Sequence, residues 1–118
     1  MATQIKKRNG EIVNFDFLKI RNAISKANHA VQDEAMDENA LDLLTARVAG
    51  RFGADVIPTV EEIQDVVEEN LIKAGYAKTA KAYILYRAEH TKIRQAEEDL
   101  MDIYKQLTYR AAKEVDLK

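Results

Sequence analysis

The side chains in this sequence best suited to hold a ligand are cationic: the run Lys6-Lys7-Arg8 and, further on, Lys19. Lys19 lies one turn inside the helix that follows the run. A polyphosphate near the start of that helix would gain from the cations, from backbone amides and from the positive end of the helix dipole. Alternate residues of a strand face opposite sides, so Lys6 and Arg8 share one face and Lys7 takes the other. Only part of the triplet need therefore meet a ligand. Basic residues beside a turn can also simply keep an edge strand soluble, and spacing alone leaves both readings open.

Other chemistries find less support. The four glycines form neither a GxGxxG nor a GxxxxGK[ST] loop, so a phosphate site here is of another kind. His29 and His90 have no partner at ligand spacing and read as surface or helix-packing residues, so no metal site is expected. Glu61-Glu62 and Glu68-Glu69 read as dipole partners and a solvated helix face rather than a paired-carboxylate catalyst. Tyr76, Tyr83 and Tyr86 could stack on a base, but aromatic residues at helical spacing usually pack in a core. No catalytic residue is expected.

The elements that must position the cations follow from periodicity. Residues 4–14 read as a β-hairpin, with Asn9-Gly10 supplying the two positive-φ positions of a type I′ turn. Asp16 is the expected N-cap of a helix carrying Phe17, Ile20, Ile24 and Ala27. An acidic stretch, Gln32 to Asp37, is expected to face solvent. Leu41, Leu44, Val48 and Phe52 predict a second helix ending near Gly53. Asp55-Val56-Ile57-Pro58 predicts an extended segment able to add a third small strand. Thr59-Val60-Glu61-Glu62 has capping-box spacing and opens a helix that stops at Gly75. From Ala77 onward there is neither Gly nor Pro, which predicts one long helix or two in succession.

Composition sets the outer limits. A chain of 118 residues, 47% of them apolar, can bury a core as one ordered domain without metals or disulfides. With no cysteine, thiol catalysis and cysteine zinc sites are excluded within it, and a reducing compartment suits it. Its apolar runs are too short to span a bilayer, and it opens without the order of an export signal. Residues 1–30 hold Lys6, Lys7, Arg8, Lys19, Arg21 and Lys26 against Glu11 and Asp16, whereas residues 31–73 are strongly acidic. The basic signal is thus local, which argues against nucleic-acid binding.

The segment from Ile5 to Asp16, followed by Lys19-Ile20, resembles the opening of the ATP-cone family: a Lys-Arg-Asp-Gly-like turn, an apolar strand, Phe-Asp, then Lys-Ile. Asn9 stands where Asp is commoner and suits the same geometry. Val60 to Leu71, Gly75-Tyr76 and Ala80 to Arg87 look like the family's later helices, so the resemblance covers residues 3–95. Asp102 to Thr108 and Ala112 to Lys118 are similar to the connector into the catalytic barrel of anaerobic, glycyl-radical (class III) ribonucleoside-triphosphate reductases, with aerobic reductases the alternative parent. A repressor that shares the cone would carry a zinc ribbon, for which this chain has no cysteines.

The resemblance implies an α+β, mostly α fold: a four-helix cluster capped by a small N-terminal β-hairpin or three-stranded sheet. It implies an ATP-cone over residues 1–95 and a helical connector over 96–118. The implied function is allosteric regulation of a ribonucleotide reductase, with ATP activating and dATP inhibiting, Mg2+ accompanying either, and no turnover in this chain itself. Carried onto this sequence, Lys7, Arg8 and Lys19 hold phosphates, with Arg87 helping from the last helix. Val13, Phe15, Asp16 and Ile20 shape the adenine and sugar pocket, Asp16 bonding the base. Thr59 approaches from the far side, beside its plain role as an N-cap. The implied partners are adenine nucleotides, the catalytic domain of the same polypeptide and other cones, in the cytoplasm, with neither nucleic acid nor membrane. No residue is assigned to the 2′-hydroxyl. The competing reading is a helical protein-interaction module whose basic hairpin docks an acidic partner without nucleotide.

Overall fold

The computed structural model describes residues 1–116, with side chains described through Arg110. The end of the expected connector, Leu117-Lys118 and the side chains from Ala111 to Asp116, lies outside the described residues. The order is β1 (Gln4–Lys6), β2 (Ile12–Asn14), α1 (Phe17–His29), α2 (Glu38–Ala49), α3 (Val60–Lys73) and α4 (Ala77–Asp116). Residues 1–85 form one compact unit and a second begins at Tyr86.

β1 and β2 pair antiparallel with Ile5 opposite Val13 and Lys6 opposite Ile12. The turn between them differs from the expected type I′. Only Gly10 has a positive φ, +88°. Its N–H donates to the Lys7 carbonyl at 2.9 Å, and the Lys7 N–H donates to the Glu11 carbonyl at 2.8 Å. This is a three-residue loop, a type I turn closed by a left-handed glycine that forms a bulge. Asn9 has no need of a left-handed backbone because its side-chain oxygen accepts from the Glu11 N–H at 2.9 Å, an Asx bond that stabilises the turn directly.

The expected third strand reduces to one parallel bridge, Lys6 to Thr59. The Lys6 N–H donates to the Pro58 carbonyl at 2.9 Å. Pro58 has no N–H to return, so the ladder cannot extend through it.

Caps set the helix ends. Asp16 accepts from the Leu18 N–H at 3.0 Å and Thr59 Oγ1 from the Glu62 N–H at 3.2 Å, as spacing predicted for both. α3 stops in a Schellman arrangement. The Tyr76 N–H reaches the Leu71 carbonyl at 2.9 Å and the Gly75 N–H the Ile72 carbonyl at 3.1 Å, with Gly75 at φ +88°. α2 ends at Ala49, earlier than expected, and the chain continues in turns to Phe52. Phe52 still packs on the core from that turn, which is why its spacing read as helical.

The core of the first unit lies where α1, α2, α3 and the start of α4 meet, around Ile24, Val48, Val67 and Leu71, which are fully buried. Beside it lies a buried polar junction. Asn28 donates to the Glu34 carbonyl and to Thr79 Oγ1 (3.0 Å), and its own oxygen accepts from the Met36 N–H at 3.0 Å. Glu34, expected to face solvent, instead receives the Lys78 and Thr79 N–H groups at 3.0 and 2.8 Å and the Thr79 hydroxyl at 3.0 Å. Its carboxylate thus serves the open amides at the start of α4. Desolvation pushes this carboxyl up, but the two amides, the hydroxyl and the Lys78 charge outweigh it and hold Glu34 below the usual carboxylate range.

In the second unit α4 continues unbroken, so the long-helix expectation is realised as a single element. The Tyr86 and His90 rings lie 4.2 Å apart. Leu100, Ile103, Tyr104 and Leu107 share an exposed stripe. Among the described residues no helix is long and apolar enough to cross a membrane.

Candidate ligand site

Strand alternation puts Ile5, Lys7, Val13 and Phe15 on one face of the hairpin, and all four line a cleft in the first unit. α1 adds Asp16, Lys19, Ile20 and Ala23, whose spacing places them along one side of the helix. α3 contributes Val60, Ile63 and Gln64, and α4 contributes Tyr83, buried at 5% exposure. The cleft holds about 230 Å³. Small-molecule pockets commonly run to about 300–1,000 Å³, so a larger ligand must extend past its mouth.

Charge is arranged for an anion at that mouth. Lys7 and Lys19 are exposed, and among the described residues neither ammonium is engaged in an ion pair. Arg21, two residues beyond Lys19, is spoken for. The hydrogen bonds it donates to Asp42 (2.7 Å) and then to Glu38 raise its pKa further and tie it to α2. Asp16 brings one acceptor to the cleft, its Oδ1 already engaged in capping α1. The walls between are apolar, with the Phe15 and Phe17 rings 4.5 Å apart at the α1 end. Such a site suits a ligand with a flat, weakly polar body and an anionic tail.

Of the residues expected from sequence, Lys7, Val13, Phe15, Asp16, Lys19 and Ile20 are brought together here. Arg8, Thr59 and Arg87 are not among the lining residues. Arg8 lies in the turn beyond the end of β1 and pairs with Glu61 of α3, Nε to Oε1 3.0 Å, with a long hydrogen bond to Gln64 Oε1 at 3.5 Å. Thr59 is occupied as the α3 N-cap, beside the lining residue Val60. Arg87 belongs to the second unit. Sequence reasoning missed Ile5, Asn14, Ala23, Val60, Ile63 and Gln64, and read Tyr83 as core. The available signal was the α3 spacing: Val60, Ile63 and Gln64 stand at i, i+3 and i+4, so a glutamine sits on an otherwise apolar face.

The family profile described as ATP cone domain matches residues 3–92. Among curated proteins the chain is 37% identical over 108 residues to a vitamin B12-dependent ribonucleoside-diphosphate reductase of Thermoplasma acidophilum, covering 87% of this chain and 14% of that protein. It is 33% identical over 93 residues to the vitamin B12-dependent ribonucleoside-diphosphate reductase of Mycobacterium tuberculosis, covering 79% of this chain and 13% of the relative. It is 38% identical over 102 residues to the ribonucleoside-diphosphate reductase subunit alpha of Treponema pallidum, covering 81% of this chain and 12% of the relative. The chain therefore spans only a small part of the length of the relatives it matches.

Proposed function

The chain belongs to the ATP-cone family, and from that premise we propose that it is an allosteric regulatory domain of a ribonucleotide reductase, binding ATP as activator and dATP as inhibitor of overall activity. The observation that carries this reading is the cleft itself, where Lys7 and Lys19, without an ion-pair partner among the described residues, stand at the mouth of an apolar pocket that also holds Asp16. In the proposal Lys7 and Lys19 hold the phosphates, Val13, Phe15 and Ile20 flank the adenine, and Asp16 accepts from its amino group. Arg8 can join the phosphates by exchanging Glu61 for them; Thr59 contributes by fixing the start of α3, and Arg87 remains a proposed contact from α4.

Among the described residues no group of three His, Cys, Asp or Glu side chains converges. Mg2+ would therefore travel with the triphosphate, bound to its oxygens. A ligand of equal affinity for two states shifts nothing, so ATP and dATP must favour different assemblies. Contacts between cones and with a catalytic domain of the same polypeptide, in the cytoplasm, are the proposed readout. The division into a cone over 1–95 and a connector over 96–118 belongs to the same proposal.

The parent is proposed to be an anaerobic ribonucleoside-triphosphate reductase, a reading supported by the connector-like sequence from Asp102 to Lys118 alone. The named relatives are diphosphate reductases. Whether the encoding gene continues into a glycyl-radical or a cobalamin-binding catalytic domain decides that point. The regulatory reading is tested by calorimetric titration of the chain with ATP, dATP and GTP in the presence of Mg2+. Saturable binding of the adenine nucleotides with GTP much weaker is expected, and no binding by a folded sample would refute it.

A further inference from the structure

We infer that Glu61 is a built-in rival of the ligand's phosphates for Arg8 and reserves this cation for a triphosphate, an inference that deepens the nucleotide-binding reading above and rests on it. The cations at the cleft fall into two kinds. Lys7 and Lys19 line the cleft and are in no ion pair among the described residues, so any phosphorylated ligand meets them. Arg8 does not line the cleft, and its Nε is held by Glu61 Oε1 at 3.0 Å. Its Nη2 reaches Gln64 Oε1 at 3.5 Å, and Gln64 is a lining residue, so the guanidinium stands one side chain away from the ligand space. A phosphate tail that ends at Lys7 leaves the pair shut. One more phosphate reaches past Lys7 toward the turn that carries Arg8.

Exchange at this pair costs little on either side. The side chains of Arg8 and Glu61 are 26% and 46% exposed, so water screens their attraction and the pair is a weak one. A terminal phosphate offers the guanidinium fork more negative charge and two oxygens, which makes it the better partner. Glu61 is not stranded when Arg8 leaves, because it lies in the first turn of α3, where open amides and the helix dipole favour a carboxylate. Glu61 therefore lowers the net gain from the last phosphate without cancelling it. Apparent affinity falls with the fraction of sites whose Arg8 is free, so Glu61 is a brake on triphosphate binding that leaves diphosphate binding alone. Such a brake keeps a sensor of nucleotide concentration from filling too early. The exchange also changes the scaffold. Arg8 sits at the hairpin tip and Glu61 on α3, so a triphosphate unfastens a side-chain tie between two walls of the cleft, while the backbone bond from the Lys6 N–H to the Pro58 carbonyl (2.9 Å) stays.

The test is calorimetric titration of the whole chain with ATP and ADP at fixed Mg2+ and ionic strength, with folding checked by circular dichroism. Wild type is compared with the Glu61→Gln, Glu62→Gln and Arg8→Gln variants. Glu61→Gln should raise ATP affinity about threefold, and the ATP:ADP affinity ratio with it, within the few-fold range that a part-exposed ion pair controls. Glu62→Gln removes the same charge from the neighbouring position, and among the described residues no ion pair joins Glu62 to Arg8. Any gain it causes measures the general field of α3, and its ratio should stay near that of wild type. In Arg8→Gln the ratio should fall, and adding Glu61→Gln to that variant should no longer move it. Should Glu61→Gln not fold, Glu61→Asp, which withdraws the carboxylate by one methylene, carries the same expectation. Equal gains in ATP affinity for Glu61→Gln and Glu62→Gln, or no gain in either, in a chain whose wild type binds ATP would overturn the role of Glu61 alone. Wild-type protein that binds neither nucleotide would overturn the nucleotide reading and this inference with it.

Discussion

Replacing Lys7 or Lys19 by alanine should weaken ATP binding about tenfold each while leaving adenosine binding unchanged. The structure sets the scale. A hydrogen bond to a charged group is worth about 1.5–3 kcal/mol in a shielded site. Both lysines are exposed at the cleft mouth, and solvent screening brings each to the low end, near the roughly 1.4 kcal/mol that equals tenfold in affinity. The fold should be indifferent to the change. Neither ammonium is ion-paired among the described residues, so truncation strands no partner. The turn uses only the Lys7 backbone, through its carbonyl to Gly10 and its N–H to Glu11. Calorimetry with ATP and adenosine at two ionic strengths is the assay. The wild-type preference for ATP over adenosine should shrink at high salt, and less of it should remain to be lost in either variant. An ATP affinity within twofold of wild type in both variants, or a parallel loss for adenosine, would refute the placement of phosphates at this mouth.

Further outcomes follow from the scaffold. Asn28→Ala should cost about 1–3 kcal/mol in denaturant unfolding, because it leaves the Met36 N–H without its partner in a buried junction; a cost below about 0.5 kcal/mol would show the junction is not structural. Gly75→Ala should cost about 1–2 kcal/mol, since a Cβ there meets no atom within 4 Å and the φ of +88° is the whole penalty. Stability should fall in acid: Glu34 and Glu69 both sit below the usual carboxylate range when folded, Glu69 through Lys73 and Arg51. Their contribution is complete above the unfolded carboxylate pKa and is lost as pH falls through the lowered folded values. A Glu34→Gln variant should therefore show a flatter decline in unfolding midpoint between roughly pH 5 and pH 3, and an unchanged slope would remove Glu34 from that account.

What could be read in advance was whatever depends on a few consecutive residues. Asp16 and Thr59 cap helices because a short side-chain oxygen reaches amides two or three residues on. Gly75 ends α3 because the C′ position wants a left-handed backbone. The six residues expected on the hairpin and α1 walls share one cleft, whereas Arg8 is set apart from Lys7 by the turn it sits in rather than by strand alternation. The turn type was misread because Asn9 can supply either a left-handed backbone or a side-chain acceptor, and the Asx bond to Glu11 took the second course.

The α3 wall was not legible, and the reason is tertiary. Val60, Ile63 and Gln64 face the hairpin because the single bridge from Lys6 to Thr59 docks the start of α3 beside β1. Nothing within residues 59–64 reports that register. The same docking turns Arg8 from a free cation into the partner of Glu61, so a residue that sequence pattern groups with Lys7 acquires a different electrostatic environment from its neighbour. Glu34 shows the effect at longer range: its carboxylate sits in an acidic loop that composition assigns to solvent, yet it closes the amides of Lys78 and Thr79 from far along the chain. A polar residue's task in this fold is thus set by which orphan donor or charge the packing of helices brings within reach. That is why local chemistry located the hairpin and α1 walls of the cleft, and only the packed structure could supply the third.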